Sequence, residues 1–364
     1  MPYADYCDNI DEMLVFLSVA LSALAVACLG TYILARPGGL LRIMDQPNER
    51  SLHTVPVPRT GGLAIWLGAL AGISVALVSL GTRVEFAWIG AGAMVVGAVS
   101  LMDDRFRLPA GLRLIAHIVA AVLLLAGGLG LRSLWFPDIE FDLHTQSGLL
   151  LSLLFVVWMT NLYNFMDGMD GFAAGMALIG FGTFALFGAI ASEPLYLALN
   201  LAAAAAAAGF LVFNFPPARI FMGDTGSSTL GLLAAASILW ADRDRIFPLW
   251  MGLLVFAPFI VDATVTLVRR ILRRDRIWTA HKTHYYQRLV DLGLGHKRTT
   301  VAEYALMILG SVSVLGAYRQ PESIQWGIIV FWIACYAVLM LWVDGWYRRA
   351  TRPAANRWVH RNRG

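Results

Sequence analysis

An all-α bundle that crosses a membrane about eleven times is the fold this sequence predicts, and three observations predict it. Of the 364 residues, 58% are hydrophobic and only 14% charged, where an ordinary soluble domain carries roughly 25% charge. Eleven apolar segments are long enough to span a hydrocarbon core of about 30 Å as helices. Basic residues concentrate on alternate connections between those segments, as they do in a chain threaded through a bilayer.

The first segment, 13–35, follows four acids (Asp5, Asp8, Asp11, Glu12) and no basic residue. It lacks the positive n-region of a cleaved signal peptide and reads as a first span. Arg36 opens a polar connection, 36–60, that runs into PNERSLHTVPVPRTGG (47–62). Segments 61–80 and 86–102 follow, and the second ends in DDRFRL (103–108). Segments 112–131 and 148–166 lead to NLYNFMDGMDG (161–171). Next come 171–191 and 195–214, the latter holding LAAAAAAAG (201–209), small residues that let membrane helices approach closely. NFPPARIFMGDTGSS (214–228) precedes 226–241 and 248–268, and a basic connection, 269–300, contains HKTHYYQRL (281–289). The last spans are 301–318 and 324–344.

With the N-terminus outside, the connections 36–60, 103–113, 167–170, 215–225 and 269–300 and the tail 345–364 face the cytoplasm. They carry 23 of the 28 Lys and Arg, so the positive-inside rule fixes this orientation and puts the C-terminus in the cytoplasm. The longest polar loop is about 32 residues and no repeat is visible, so residues 1–364 read as a single membrane-embedded domain. Cys7, Cys28 and Cys335 have no metal-ligand spacing.

The polar motifs all fall at the predicted cytoplasmic face, on the stretches 36–60, 103–113, 161–171, 214–228 and 269–300, and the outer loops hold nothing comparable. Asp103 and Asp104 can be read as acids solvated beside Arg105 and Arg107, or as a pair that favours a shared cation. Asn161, Asn164, Asp167 and Asp170 recur every third residue, which on a continuing helix makes a ladder of oxygens. Asp170 alone could also cap the next span. Asp224 opens a span, where a helix N-terminus favours its charge and offers N–H groups to phosphate. Oxygen ligands without Cys or His suit Mg²⁺, with Mn²⁺ possible, and not zinc. His281 and His284, beside Lys282 and Arg288, form a patch of donors for phosphate, while the arginines at 269–276 are equally explained as anchors on anionic lipid. Asp262 is an acid within a span, expected to pair with a neighbouring helix. Together these features call for a water-soluble diphosphate substrate and a second substrate whose phosphate hangs from a lipid; no nucleic-acid partner is expected.

Across roughly 36–300, these five ordered motifs resemble the polyprenyl-phosphate N-acetylhexosamine-1-phosphate transferases, the family that includes the phospho-N-acetylmuramoyl-pentapeptide transferase and the initiating enzymes of O-antigen and teichoic acid synthesis. The resemblance implies a Mg²⁺-dependent enzyme that moves a sugar 1-phosphate from a UDP-N-acetylhexosamine to undecaprenyl phosphate and releases UMP. The site would face the cytoplasm at the inner membrane of a bacterium, in a chain that is commonly dimeric. PNERSLHTVPVPRTGG and HKTHYYQRL look closest to the O-antigen-initiating branch; the pentapeptide branch carries adjacent histidines where His281 and His284 are separated. Carried over, the resemblance makes Asn164 and Asp224 the metal ligands and puts Asp103, Asp104 and Arg113 near the lipid phosphate. It lines a uracil pocket with Gly168, Met169, Asp170 and Phe221, sets His281 and His284 on the diphosphate, and gives Asp167 a supporting catalytic role.

A phosphate monoester has its second pKa near about 6, so the acceptor is already mostly ionised at pH 7. Direct in-line attack is therefore expected, with a route through an aspartyl phosphate as its rival. Two other classes remain open from sequence: a transporter, whose sites commonly lie near the midplane of repeated halves, and a lipid pyrophosphatase.

Overall fold

A computed structural model of the chain describes residues 2–36, 41, 43–47, 55–275 and 282–361, and the side chains of these except 2–10 and 352–361. All eleven apolar segments fold as helices. They form α1 (Pro2–Ala35), α2 (Gly61–Leu80), α3 (Val84–Phe106), α4 (Ala110–Ala126), α5 (Thr145–Met166), α6 (Phe172–Ile190), α7 (Pro194–Asn214) and α8 (Gly223–Arg243). Then follow α9 (Leu249–Val255), α10 (Ala257–Leu272), the short α11 (Tyr285–Leu289), α12 (Gly295–Ala317) and α13 (Glu322–Arg361). Two small antiparallel strand pairs complete the elements: β1 (Met44–Asp45) with β2 (Val57–Pro58), and β3 (Ser133–Trp135) with β4 (Glu140–Asp142).

Among the described residues, eight helices are long and apolar enough to cross a membrane, or nine if α9 and α10 make one broken span. The expected count of eleven also needs α4 and α8. Helix α4 stops at Ala126, short of the expected 131, because Gly127 and Gly128 follow and Gly128 takes φ +79°, a conformation that ends helices. In α8 every residue from Thr225 to Asp242 is buried, so protein, not lipid, surrounds its polar first turns.

The expected single span 248–268 is instead bent by 86° between α9 and α10. Pro258, in the first turn of α10, has no N–H to continue the ladder of α9 and its ring fixes the new start. Described parts of the polar loop 269–300 are also helical: α10 runs on to Leu272, and α11 leads into α12 through a kink at Val290–Leu294, where Gly293 takes φ +96°.

Helices α6 and α7 are 67% and 72% buried in their apolar windows, against 17% for α1 and α13, which puts the first pair inside the bundle and the second on its rim. The alanine run of α7 packs as its composition predicts: Ala202 to Ala207 are buried and α7 lies against α1, α2 and α6. Helix α8 is the central post, touching α2, α3, α5, α6 and α9.

The end of the bundle away from the acidic motifs carries charges of its own. Arg83 bridges Glu193 and Asp244 at 3.3 and 3.2 Å, and Arg243 bridges Glu85 and Asp244 at 2.9 and 2.7 Å. Arg245 binds Glu140 on the β3–β4 hairpin. These charges are paired with one another and tie connections together; their short-range partners are invisible in a sequence.

Candidate active site

The N-terminus of α8 leaves N–H groups without intrahelical partners, and an acid from another helix satisfies them. Asp104, at the end of α3, accepts from the N–H of Asp224 at 3.0 Å, the N–H of Thr225 at 3.1 Å and the Thr225 hydroxyl at 2.7 Å. Arg59 fills the remaining acceptor position, so the four lone-pair positions of this carboxylate are all in use. Its side chain is only 1% exposed. A negative charge here also complements the positive end of the α8 dipole. Gly223 makes the contact feasible: it takes φ +71°, and a side chain there would strike the Arg59 carbonyl and the Asp104 carboxylate.

Asp224 is held more loosely. One oxygen lies 3.4 Å from Arg59, the other 3.2 Å from Arg113, and its side chain is 18% exposed. Arg113, on the first turn of α4, also meets Asp103 at 3.0 Å. Arg113 thus spans Asp103 and Asp224 while Arg59 spans Asp104 and Asp224, an alternation of charges drawn from α3, α4, α8 and the first loop. Arg59 is half-buried. Desolvation opposes its charge, but Asp104, Asp224 and Asp45 outweigh this and hold its pKa above the ordinary value.

The first loop reaches the site through backbone bonds. Phe221 N–H donates to Pro58 at 2.7 Å, and the N–H groups of Gly61 and Gly62 donate to Phe221 and Met222 at 3.0 and 2.8 Å. Those bonds seat β2 and the start of α2 on the segment before α8 and put Arg59 between the acids. Sequence reasoning quoted Arg59 within its motif but assigned it no role; an isolated arginine beside Thr-Gly-Gly gives no sign of which acids it will meet. His117 was also missed. It is buried one turn beyond Arg113, its ring meets the Asn161 side chain, and its Nδ1 has no partner among the described residues; spacing of four from Arg113 was the available signal.

The oxygen ladder is corrected by the end of α5 at Met166. Only Asn161 and Asn164 remain on the helix, and Asn161 donates back to Val157. Asn164 donates to Ser228 on α8 at 3.0 Å, and Ser228 lies one turn from Asp224, on the same face of that helix. The structure therefore brings Asn164 and Asp224 to adjoining positions.

Asp167 caps the C-terminus of α5 and accepts no hydrogen bond among the described residues. Desolvation, reinforced by Asp224 and Asp104, pushes its carboxyl up to about 7. The folded form then retains a proton that the unfolded chain, with a carboxyl near 3.8, gives up between about pH 4 and 7, so stability falls as pH rises through that window. We expect thermal unfolding in detergent with chelator present to show this slope and Asp167→Asn to flatten it; an unchanged slope would refute the assignment.

Asp170 does not cap α6. It accepts from the N–H of Ala218 at 3.1 Å, and His296 approaches its other oxygen at 3.3 Å. Asn214 accepts from the N–H of Gly171 at 3.0 Å. These bonds lay the end of the 168–171 turn along Asn214 and Ala218, the latter three residues before Phe221.

His281 lies outside the described residues. His284 is buried, with Nδ1 3.0 Å from Asp262 on α10, which gives Asp262 the inter-element pairing expected of it. The expected donor patch is altered at Arg288, which binds Asp344 of α13 at 2.8 Å beside Arg269. That arginine shares one carboxylate with Arg269, and the pairing fastens α11 to α13.

Among the described residues no three His, Cys, Asp or Glu side chains converge on one point as a ready metal cage. Mg²⁺ does not require one, since it is commonly held by one or two carboxylates with substrate phosphates and water. Asp224 with its long, replaceable arginine contacts and Asn164 beside it fit that mode, whereas Asp104 has no acceptor capacity left.

The profile of glycosyl transferase family 4 matches residues 86–242. The chain is 32% identical to a probable undecaprenyl-phosphate N-acetylglucosaminyl 1-phosphate transferase of Bacillus subtilis, over 84% of this chain and 86% of that one. It is 31% identical to the decaprenyl-phosphate N-acetylglucosaminephosphotransferase of Mycobacterium leprae, over 86% and 87%. A phospho-N-acetylmuramoyl-pentapeptide-transferase of Bacillus cytotoxicus matches at 27%, over 76% and 87%.

Proposed function

Because the chain belongs to the glycosyl transferase family 4 of polyprenyl-phosphate N-acetylhexosamine-1-phosphate transferases, we propose that it transfers N-acetylglucosamine 1-phosphate from UDP-N-acetylglucosamine to undecaprenyl phosphate. UMP leaves, and the lipid-diphosphate sugar begins a cell-envelope polysaccharide. One observation carries this reading: Asp103, Asp104 and Asp224 meet Arg59 and Arg113 at a single end of a membrane bundle. In the proposed topology of eleven spans, that end faces the cytoplasm of a bacterial inner membrane, where nucleotide sugars are available.

Arg113, a third exposed, is the cation best placed to receive the lipid phosphate, with Asp103 setting its direction. The acceptor oxygen attacks the β-phosphorus of the donor in line, forming one P–O bond as the bond to the UMP oxygen breaks. No base is needed for an oxygen already ionised at neutral pH, so catalysis is chiefly positioning and charge stabilisation. Arg59 helps set Asp224, and the 168–171 turn with Phe221 receives the uracil. Mg²⁺ held by Asp224 and Asn164 would neutralise charge on the diphosphate and on the departing UMP.

A pentapeptide-bearing donor is less favoured, since that relative matches at lower identity. A transporter is disfavoured by a site at one end of the bundle. The test is UMP release by purified protein given UDP-N-acetylglucosamine or the pentapeptide donor, with and without undecaprenyl phosphate and Mg²⁺. Release that needs the first donor, the lipid and the metal is expected. Release without lipid would favour the aspartyl-phosphate route, and no release with any donor would overturn the reading.

A further inference from the structure

We propose that Asp262 is a positioning residue for the donor diphosphate, acting through His284 and Tyr286. The inference rests on the reading above, in which His284 meets that diphosphate. An unpaired acid within a span costs about 2.5 to 3.5 kcal/mol on insertion scales, and among the described residues every hydrogen bond of this carboxylate leads to a single short segment or its own helix. Oδ1 is 3.0 Å from His284 Nδ1 and accepts from the Thr266 hydroxyl at 3.1 Å; Oδ2 accepts from the N–H of Tyr286 at 3.1 Å. One carboxylate therefore holds a ring and, two residues on, a backbone.

A carboxylate only accepts, so it commits Nδ1 of His284 as a donor and settles the ring's orientation. The Tyr286 ring lies nearly parallel to that imidazole, with centroids 5.8 Å apart and planes at 23°, and packs on Phe172 at 5.0 Å. Its hydroxyl is fully buried and has no partner among the described residues. It occupies the space where a side chain at residue 168 would lie, so only glycine fits there. A buried donor without a partner calls for an explanation, and this one adjoins the turn that carries Asp167. Asp262 thus fixes the imidazole that would meet the diphosphate and, through the backbone of Tyr286, a phenol packed on Gly168 at the edge of the turn that would receive the uracil. The bend at Phe256 makes this geometry possible, since it turns α10 away from the line of α9 and toward α11.

The test uses full-length protein in detergent and the variants Asp262→Ala, Asp262→Asn, Asp262→Glu, His284→Ala and the Asp262→Ala/His284→Ala pair. Asp262→Ala and Asp262→Asn should lower kcat/KM about 10- to 100-fold, the range typical for residues that orient a functional histidine, mostly through KM for the UDP-sugar. Asp262→Glu should recover part of it. In the His284→Ala background, adding Asp262→Ala should cost several-fold less than it does in the wild-type protein, because the part of its effect that passes through His284 is already lost. Full additivity, or a lowered thermal midpoint with unchanged kcat/KM, would overturn the proposal. UDP binding by calorimetry separates this inference from the reading it rests on. If wild-type protein binds UDP but transfers nothing, weaker binding by Asp262→Ala still supports the positioning role. Binding equal to wild type would end it.

Discussion

Asp224→Asn should lower UMP release about 10²- to 10³-fold and leave the protein folded. The rate loss follows from the place of this carboxylate, the one acid of the cluster with loose contacts, held at 3.2 and 3.4 Å by two arginines and still in reach of solvent. Removing a single preorganised electrostatic group at a reacting phosphate typically costs that much. The folding result follows from the same geometry: partly exposed ion pairs of this kind are worth about 0 to 1 kcal/mol. The backbone N–H of Asp224, which Asp104 caps, is untouched by the substitution. The decisive measurements are kcat, the Mg²⁺ concentration for half-maximal rate and the thermal midpoint. A wild-type rate would remove Asp224 from the metal role, and a collapsed midpoint would make it structural.

Asp104→Ala should show the opposite balance, losing stability as well as activity. The substitution strips a buried carboxylate from Arg59, from two N–H groups of α8 and from the Thr225 hydroxyl. Breaking a buried ion pair by removing one partner costs about 3 to 5 kcal/mol. Losing a helix cap costs about 0.5 to 2 kcal/mol, and because the same atoms are involved the two are not additive. A fall of several kcal/mol in unfolding free energy, read as a lower thermal midpoint, is expected, with transfer lost because Arg59 and the start of α8 lose their anchor. Asp104→Asn should be milder, since an amide oxygen still accepts, although its NH₂ must then face a donor. A normal midpoint for Asp104→Ala would show that the cap is unimportant.

The contrast between these two aspartates marks where sequence reasoning stops. Asp103 and Asp104 are adjacent in DDRFRL and have the same charge, so nothing local divides their roles. The division comes from the meeting of α3 with α8, and from Gly223 bringing that helix close enough for Asp104 to cap it. The helices themselves were legible because an apolar run long enough to span a bilayer has few alternatives to a helix. Their ends were legible where glycine or proline coincides with a change in hydropathy, as at Gly61 and Pro194, and not where it falls inside an apolar run, as at Gly127 and Pro258. The break at Phe256 was missed because the run stays apolar on both sides of it, from Pro248 to Val261, and hydropathy carries no direction. The ladder 161–170 was misread because a spacing of three looks the same on a helix as in a turn. His284 was legible as a donor and Asp262 as an acid needing a partner, yet their pairing spans 22 residues and a change of element.

The clamp between α3 and α8 also has a bearing on biogenesis. Asp104 leaves the ribosome 121 residues ahead of Thr225, and four further hydrophobic helices must enter the translocon before its counterpart exists. Until then the acid and its arginine lack the helix end that completes their site, so a truncated or stalled nascent chain cannot assemble a competent catalyst. Insertion of α8 is the event that completes this clamp, and α10 and α11, which position Asp262 and His284, must still follow it.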